Sequence, residues 1–351
     1  MFSQEPSKNL YLSIWLILLS IITFAMIVVG GLTRLTDSGL SMVDWRPIMG
    51  TLPPLNTEDW VNAFNAYKDS PEFKIINKSM NLNEFKYIFW WEWGHRFLAR
   101  CLGIVFILPF LYFIFKKQIT KNTFFNLSFV FMFGIFQAVV GWWMVKSGLN
   151  DNPYVSQYRL AFHLTNAIII LVILFWITLN SFFLLKINFL PDSIVEKIIL
   201  WIIALLFLTI ISGAFMAGTN AGQSFNTYPL MNGKFIPDDY FMEGMGMLNL
   251  FENTIAINFN HRWLATITFV IVVTLLSYFF ITKKYHKFFY ELIVISILVC
   301  VQFLLGILTL LTNVELYLAS MHQINSILLL ISIIYVYFQI KKEKFSIDKI
   351  N

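Results

Sequence analysis

Eight apolar runs, each long enough to cross a lipid bilayer, constrain the fold of this chain more than any other feature. A hydrocarbon core about 30 Å thick needs roughly 20 apolar residues in a helix. The runs lie at residues 10–32, 93–115, 124–145, 160–185, 198–218, 261–281, 288–312 and 316–338. Only 13% of the residues are charged, where soluble domains carry about a quarter. The sequence therefore predicts an all-α polytopic membrane protein with the lipid bilayer as its environment, and the net charge of +5 gives no reason to expect nucleic acid as a partner.

The connections between the runs predict which side each one faces. Lysine-rich stretches lie at 116–121, 283–287 and 341–344, on the same side as both termini because the number of spans is even. The positive-inside rule then places both termini in the cytoplasm and the long first loop, residues 33–92, outside. We expect a retained first span and no presequence, which favours a bacterial cell inner membrane.

The long first loop predicts structure of its own. SPEF, at 70–73, has the pattern of a helix start, with Ser at the cap and Pro at the first helical position. Apolar and aromatic residues then predict short amphipathic helices in the membrane interface. These residues are Phe73, Ile76, Phe85, Ile88, Trp90, Trp91 and Trp93.

Five sequence motifs recur in the same order in the two halves of the chain. They are GGLTRLTDSGLS (30–41) and GAFMAGTNAGQS (213–224), WRPIMG (45–50) and YPLMNG (228–233), HRFLA (95–99) and HRWLA (261–265), Gln137 and Gln302, and AFHLTNA (161–167) and ASMHQINS (319–326). Four spans per repeat give the halves the same orientation. The sequence predicts two tandem four-helix bundles, residues 1–195 and 196–351, related by a pseudo-twofold axis along the membrane normal.

Four of the five histidines occupy equivalent places in this repeat. His95, His163, His261 and His322 each fall within the first turn or two of a predicted span, at similar depth near the outer surface, whereas His286 lies in a lysine-rich turn. Ionisable residues within spans are usually functional. Two neutral imidazoles facing each other can supply both axial ligands of a haem iron. The pattern predicts one such site in each half and fits zinc less well, because neither half offers a cysteine or carboxylate pair to complete a tetrahedron.

Arginines and small or amide residues accompany the histidines. Arg96, Arg159 and Arg262 lie next to a candidate ligand or one turn from it. Their guanidinium groups predict contacts with haem propionates, and interfacial snorkelling is the alternative. Glycines such as Gly141 and Gly306 permit close approach of helices or of a flat macrocycle, and ordinary helix packing explains them equally well.

The halves differ at one carboxylate. Glu92 lies three residues before His95, and the matching position in the second half is Asn258. This difference predicts a division of labour, with chemistry in the first half and a redox centre in the second. Two alternatives stay open: Glu92 pairs with Arg96 one turn on, or it serves as a third zinc ligand.

The chain resembles the haem A synthase family from residue 10 to about residue 340. The resemblance is carried by GGLTRLTDSGLSMVDWRPIMGTLPP (30–54), EWGHRFLAR (92–100), the second His-Arg motif and the paired histidines. It implies an oxidoreductase that converts the C8 methyl group of haem O, through a hydroxymethyl intermediate, to the formyl group of haem A for a terminal oxidase.

The resemblance also implies roles for individual residues. His95 and His163 would bracket the substrate haem O, His261 and His322 would ligate a haem b, and Glu92 would be the carboxylate of the E-x-x-H motif needed for turnover. Some bacterial members carry a cysteine pair in the first outer loop, and this chain instead resembles the cysteine-free branch of mitochondria and their bacterial relatives. Candidate partners are haem O synthase, oxidase assembly factors, a membrane electron acceptor and a second copy of the chain.

Two other functions fit parts of the pattern. A non-catalytic dihaem b cytochrome would share the four histidines, but it gives no reason for Glu92 to lack a counterpart in the second half. A transporter built on tandem repeats predicts helices broken near the middle of the membrane, whereas the apolar runs here are continuous.

Overall fold

The computed structural model describes residues 10–43, 49–150 and 152–348. Within them, eight helices are long and apolar enough to cross a membrane, which confirms the predicted all-α polytopic class. Both termini and most of the WRPIMG motif lie outside the described residues, so their predicted placement is not tested. The chain divides into two compact units, Met1–Leu184 and Leu185–Asn351. The pseudo-twofold axis and the roles assigned to the halves stay predictions.

The described part of the first unit contains four spanning helices and two short helices in the loop between α1 and the next spanning helix, which is named the outer loop after its predicted side. They are α1 (Leu10–Leu35), α2 (Thr57–Lys68), α3 (Pro71–Ile75), α4 (Leu82–Phe115), α5 (Lys121–Lys146) and α6 (Gln157–Phe182). Helix α1 packs on α4 and α6, and α5 packs on α6 and on α4. The four long helices therefore close into a bundle in which α1 contacts both histidine-bearing helices, α4 and α6.

The second unit repeats this packing. Its helices are α7 (Ile194–Gly218), α8 (Asn249–Glu252), α9 (Thr254–Thr282), α10 (Phe289–Leu311) and α11 (Leu316–Asp348). Helix α7 packs on α9 and α11, and α10 packs on α11 and α9. Helices α7, α9, α10 and α11 thus have the same neighbours as α1, α4, α5 and α6, as expected of a tandem repeat.

The two spanning helices α4 and α9 begin well before their apolar runs because asparagine caps start them outside the run. Helix α4 begins at Leu82, where the Asn81 side chain accepts from the Glu84 backbone N–H and the Glu84 side chain accepts from the Asn81 backbone N–H. Helix α9 begins at Thr254 after the cap Asn253. The predicted starts at 93 and 261 are wrong by several residues, since polar residues in these first turns interrupt the apolar pattern.

A cluster of buried aromatic side chains holds the outer loop against the early turns of α4. Trp60 packs edge-to-face on Phe89 with ring centroids 5.0 Å apart, and Tyr67 stacks on Phe85 at 5.2 Å. Phe85 and Ile88, predicted on short interfacial helices, instead lie in the first two turns of the spanning helix α4. This part of the prediction is wrong because α4 continues unbroken from its cap.

A buried carboxyl group lies on α3, which begins at Pro71 with Ser70 as its cap, as SPEF predicts. Glu72 is 5% exposed and accepts a hydrogen bond from the Tyr67 hydroxyl at 2.8 Å. The Tyr67 hydroxyl accepts in turn from the Asn77 amide at 2.8 Å. Burial raises the pKa of Glu72 to about 7.

We expect the outer loop to lose stability as pH rises through the range between 4.5, the ordinary pKa of the Glu72 carboxyl, and about 7. In that window the folded protein binds more protons than the unfolded chain, so raising the pH favours unfolding. The charges of Glu92 and Asp37 add to this effect and that of Arg34 opposes it. Amide hydrogen exchange over 57–80, corrected for intrinsic rate, should therefore be faster at pH 8 than at pH 5.

Glu72→Gln should remove this dependence, because its side chain does not titrate. Glu58→Gln, at an exposed position of α2, is the matched control and should keep it. A pH dependence that persists in Glu72→Gln would contradict the assignment.

The apolar core of the first unit lies at the end of the bundle where α1 and α5 begin and α4 and α6 end. Leu16, Leu19 and Leu127 are fully buried there, beside Phe113 and Leu174. The histidines of α4 and α6 lie toward the opposite end of these helices. Apolar side chains therefore pack one end of the bundle, and the two histidines lie toward the other end.

A buried lysine explains why α11 continues beyond the predicted end of its span at 338. Lys341 is 4% exposed and forms ion pairs with Asp192 at 2.7 Å and Glu196 at 3.3 Å. It also donates to the Leu190 carbonyl. Because two carboxylates neutralise its ammonium group, the helix keeps this charged residue against the start of α7.

Candidate functional site

The structure brings the four histidines of the repeat together in pairs. His95 on α4 and His163 on α6 lie near enough to interact electrostatically, and so do His261 on α9 and His322 on α11. His286 lies apart from these pairs, in a 3₁₀ turn at the lysine-rich connection before α10. The pairing is the one that the internal repeat predicts.

The histidines are not all near the start of their helices. His163, His261 and His322 lie within about two turns of the start. His95 lies more than three turns after Leu82, so the prediction of a first-turn position is wrong for this residue. The early cap of α4 is the reason.

A glycine from a neighbouring helix lies against each imidazole. A methyl group built on any of these glycines would come within 3.0–3.3 Å of the imidazole Cε1 atom, which is too close for ordinary contact. The pairs are Gly30 with His95, Gly141 with His163, Gly213 with His261, and Gly306 with His322. The glycines therefore accommodate the imidazole rings themselves, a role that the sequence analysis does not assign to them.

We expect Gly141→Ala to destabilise the protein and Gly134→Ala, on the same helix, to leave it unchanged or slightly more stable. The added methyl group at 141 meets the His163 ring at 3.0 Å, whereas a Cβ at 134 meets nothing within 4 Å. Overpacking costs about 1–3 kcal/mol, and replacing glycine in a helix interior gains roughly 0.5–1 kcal/mol. Thermal unfolding of the two purified variants should differ by several degrees, and equal midpoints would contradict the contact.

An amide pair faces the imidazole of His163. The Asn166 amide, one turn further along α6, donates to Gln137 Oε1 at 2.6 Å. The Gln137 amide nitrogen then lies 3.3 Å from His163 Nε2 and 3.1 Å from its carbonyl oxygen. Gln302 and Asn325 repeat this arrangement in the second unit. Sequence analysis misses the asparagines, although they occupy equivalent places in AFHLTNA and ASMHQINS.

The Nδ1 atoms of the imidazoles differ between the units. In the first unit, Nδ1 of His95 and Nδ1 of His163 are buried with no hydrogen-bond partner among the described residues. In the second unit, Nδ1 of His261 lies 2.7 Å from Ser212 Oγ. Nδ1 of His322 lies 3.1 Å from the amide nitrogen of its glutamine. A serine hydroxyl therefore lies beside Nδ1 of His261, whereas none of the described residues offers a partner to Nδ1 of His95.

The carboxylate of Glu92 is buried beneath the loop that follows α1. It is 3% exposed, and one of its oxygens accepts from Ser41 Oγ and from the Met42 backbone N–H, both at 2.7 Å. The other oxygen pairs with Arg96, which also donates to the Met42 carbonyl at 3.2 Å. The predicted Glu92–Arg96 contact is thus confirmed. Hydrogen bonds from Ser41 and Met42 hold the carboxylate in place.

A neutral amide takes the equivalent place in the second unit. Asn258 donates to the Ala221 carbonyl at 2.7 Å and accepts from Arg262 Nε at 2.7 Å. Arg262 donates further to the carbonyl groups of Thr227 at 2.8 Å and Phe225 at 2.6 Å. An amide is therefore sufficient to hold the loop over the helix, and a negative charge at this place in the first unit needs another explanation.

The three arginines predicted near haem propionates all have acceptors within the protein. Arg159 donates to the Trp143 carbonyl at 2.7 Å and lies over the Trp143 ring, 4.4 Å from its centroid. Arg96 and Arg262 bind the loops described above. A guanidinium has five N–H donors, more than these contacts use, so the arginines keep donors for a carboxylate ligand.

The side chains of each unit fit a haem held by two axial imidazoles. In each unit two partly buried histidines come from helices that share two neighbouring helices, α4 and α6 in the first unit and α9 and α11 in the second, and a glycine makes room for each ring. Axial ligation by paired imidazoles is an established way of holding haem iron. The Ser212 contact of the second unit is the kind of outer hydrogen bond that tunes such a ligand.

The fold and the site define a multi-pass membrane protein in which each of two four-helix bundles carries a partly buried histidine pair. Residues 13–334 match the model of the family described as cytochrome oxidase assembly protein. The chain belongs to this family.

Three relatives are similar to nearly all of the chain. The haem A synthase of Nitrosospira multiformis is 40% identical over 347 residues, which cover 95% of this chain and 94% of the relative. That of Wolbachia pipientis from Culex pipiens is 42% identical over 323 residues, covering 90% and 94%. Haem A synthase COX15 of Arabidopsis thaliana is 41% identical over 346 residues, covering 93% of this chain and 73% of the relative. The family resemblance predicted from the sequence motifs is confirmed.

Proposed function

We propose that this chain is a haem A synthase, which oxidises the C8 methyl group of haem O through a hydroxymethyl intermediate to the formyl group of haem A. One observation carries the proposal. Two histidine pairs with matching glycines and amides lie in equivalent bundles, and one alone has a buried carboxylate, Glu92, where the other has Asn258. The names of the relatives support the same activity.

Haem O is the substrate of the first unit, between His95 and His163. Haem b is the resident cofactor of the second unit, held by His261 and His322. When bound, haem b supplies one-electron redox chemistry. The four histidines bind and orient the two macrocycles.

Three arginines are proposed to bind haem propionates with the donors that they retain: Arg96, Arg159 and Arg262. The first unit binds a molecule that must leave after oxidation, whereas the second binds a group that stays. This difference matches the contact between Ser212 and Nδ1 of His261, since Nδ1 of His95 has no hydrogen-bond partner among the described residues.

Glu92 acts on the reacting carbon. Its carboxylate accepts a proton from the oxidised C8 substituent or stabilises positive charge there. Ser41 and the Met42 backbone fix its orientation, and Arg96 balances its charge. A dihaem cytochrome without catalysis gives no use for this arrangement in one unit alone.

The cellular setting follows from the charge pattern and the reaction. Lysine-rich connections on one side support both termini in the cytoplasm of a bacterium, with the chain in the inner membrane. Oxidation of a methyl group releases electrons, so a membrane electron acceptor is required. Haem O synthase, oxidase assembly factors and a second copy of the chain are proposed partners.

Expression in a host that makes haem O but no haem A tests the function. Haems extracted from membranes containing the intact protein should include haem A or its hydroxymethyl precursor, and membranes without it should include neither. Haem b alone would favour the dihaem cytochrome. A purified protein with no haem at all would overturn the assignment of the histidines.

A further inference from the structure

We propose that the hydroxyl group of Ser212 makes His261 a fixed haem ligand and that Val29, at the equivalent place, leaves His95 exchangeable. The inference rests on the proposed function and names the difference that separates a cofactor site from a substrate site. Ser212 is a positioning residue, since it acts through the imidazole and not on the haem itself.

The hydrogen bonds of Ser212 determine which imidazole nitrogen carries the proton. Its hydroxyl donates to the Thr209 carbonyl of its own helix at 2.7 Å and lies 2.7 Å from Nδ1 of His261. A serine hydroxyl has one proton, which the Thr209 carbonyl takes. Ser212 Oγ must therefore accept from Nδ1–H, which leaves Nε2 of His261 with its lone pair available for iron.

The hydrogen bond to Ser212 also fixes the plane of the His261 ring and raises the basicity of the ring. A ligating histidine whose second nitrogen donates to a protein acceptor is held in one tautomer and one orientation. The ring of His261 also rests on Gly213, the residue after Ser212. Contacts from two successive residues of α7 therefore set the ligand before haem binds.

The first unit keeps one of these contacts and lacks the other. Gly30 lies against the His95 ring as Gly213 does against His261. The residue before Gly30 is Val29, whose side chain has no polar atom, and Nδ1 of His95 is buried with no hydrogen-bond partner in the described part of the chain. His95 therefore has the space for its ring but no acceptor to orient it.

The consequence is a difference in how long each unit retains haem. Loss of an outer hydrogen bond to a metal ligand costs about 10- to 100-fold in affinity. A substrate must leave after oxidation, whereas a redox cofactor must remain through many turnovers. Serine in one bundle and valine in the other provide this difference without any change of the ligands.

Transfer of haem to excess apomyoglobin measures retention directly. The purified full chain, loaded with protohaem, should release haem in a fast and a slow phase, and His95→Ala should remove the fast one. Ser212→Val should accelerate the slow phase about tenfold or more. The control is Ser296→Val, in which the lost hydroxyl donates only to the Leu292 carbonyl of its own helix, at 2.8 Å, and should leave both phases unchanged.

The reverse substitution, in the first unit, should have the opposite effect on the rate of haem release. Val29→Ser offers His95 an acceptor and should slow the fast phase, whereas Val29→Ala, smaller but without a hydroxyl, should not. Ser212→Thr retains the hydroxyl, so its slow phase should stay slow where that of Ser212→Val is accelerated. If Ser212→Val does not accumulate in membranes, Ser212→Ala removes the same bond with less bulk.

Two results would overturn the inference: equal slow phases in Ser212→Val and Ser296→Val, or release from Ser212→Thr as fast as from Ser212→Val. These results leave the proposed function intact as long as the unmodified chain makes haem A. Absence of haem A from the unmodified chain would instead overturn the function, whatever the release rates.

Discussion

Glu92→Gln is expected to reduce oxidation of haem O by at least about 100-fold while the protein keeps its haem. General acid–base groups contribute roughly 10²- to 10⁴-fold to catalysis, and glutamine can neither accept the proton nor supply the charge. The glutamine oxygen can still accept from Ser41 and Met42, so the loop over the site should stay in place. Haem A formed per bound haem, measured in membranes, gives the result.

Glutamine is the better substitution because it keeps the side-chain volume and an oxygen that can accept from Ser41 and Met42. Both Glu92→Gln and Glu92→Ala leave Arg96 without its carboxylate, and removing one partner of a buried pair costs about 3–5 kcal/mol, but alanine also removes the acceptor that holds the loop. The control is Glu58→Gln, the same chemical change at an exposed position of α2, which should retain full activity. Loss of haem from Glu92→Gln would make the carboxylate structural, and full activity would remove it from the mechanism.

His322→Ala is expected to lose the haem b of the second unit almost completely. Under the proposed function this substitution would leave His261 as the remaining histidine of the pair that would hold the haem. The pyridine haemochrome of the purified protein measures haem b per chain. His286→Ala is the matched control, since that histidine lies in a turn away from both pairs, and it should keep the full haem content.

His163→Ala completes the comparison, because it should stop oxidation of haem O and leave haem b in place. The two variants therefore separate a protein that has lost its cofactor from one that has lost its substrate site. If His163→Ala and His322→Ala removed the same haem, the division of roles between the units would be wrong.

Much of this architecture follows from the sequence because a bilayer leaves a chain few choices. Backbone groups in hydrocarbon must bond within the segment, so apolar runs of sufficient length become helices. The tandem motifs then predict which helices are equivalent, and four histidines at matching places predict the pairs. Both features depend on order along the chain, which a sequence displays directly.

Other features depend on how neighbouring helices rotate against each other, which the sequence does not display. The contact between Gly30 and His95 joins residues 65 positions apart on α1 and α4, and nothing local marks it. The bond from Ser212 to His261 is of the same kind. The early start of α4 is local, and the capping box at Asn81 and Glu84 is its signal, but polar first turns conceal it from a search for apolar runs.

The repeated glycine, glutamine and asparagine contacts have an evolutionary consequence. Because both bundles carry the same set around their histidines, we infer that the set was present in a single ancestral bundle before the gene was duplicated. Specialisation then needed few later substitutions. The carboxylate at 92 and the hydroxyl at 212 are two positions where the descendants differ, and under the proposed function they are the changes that suit one copy to turnover and the other to storage of an electron.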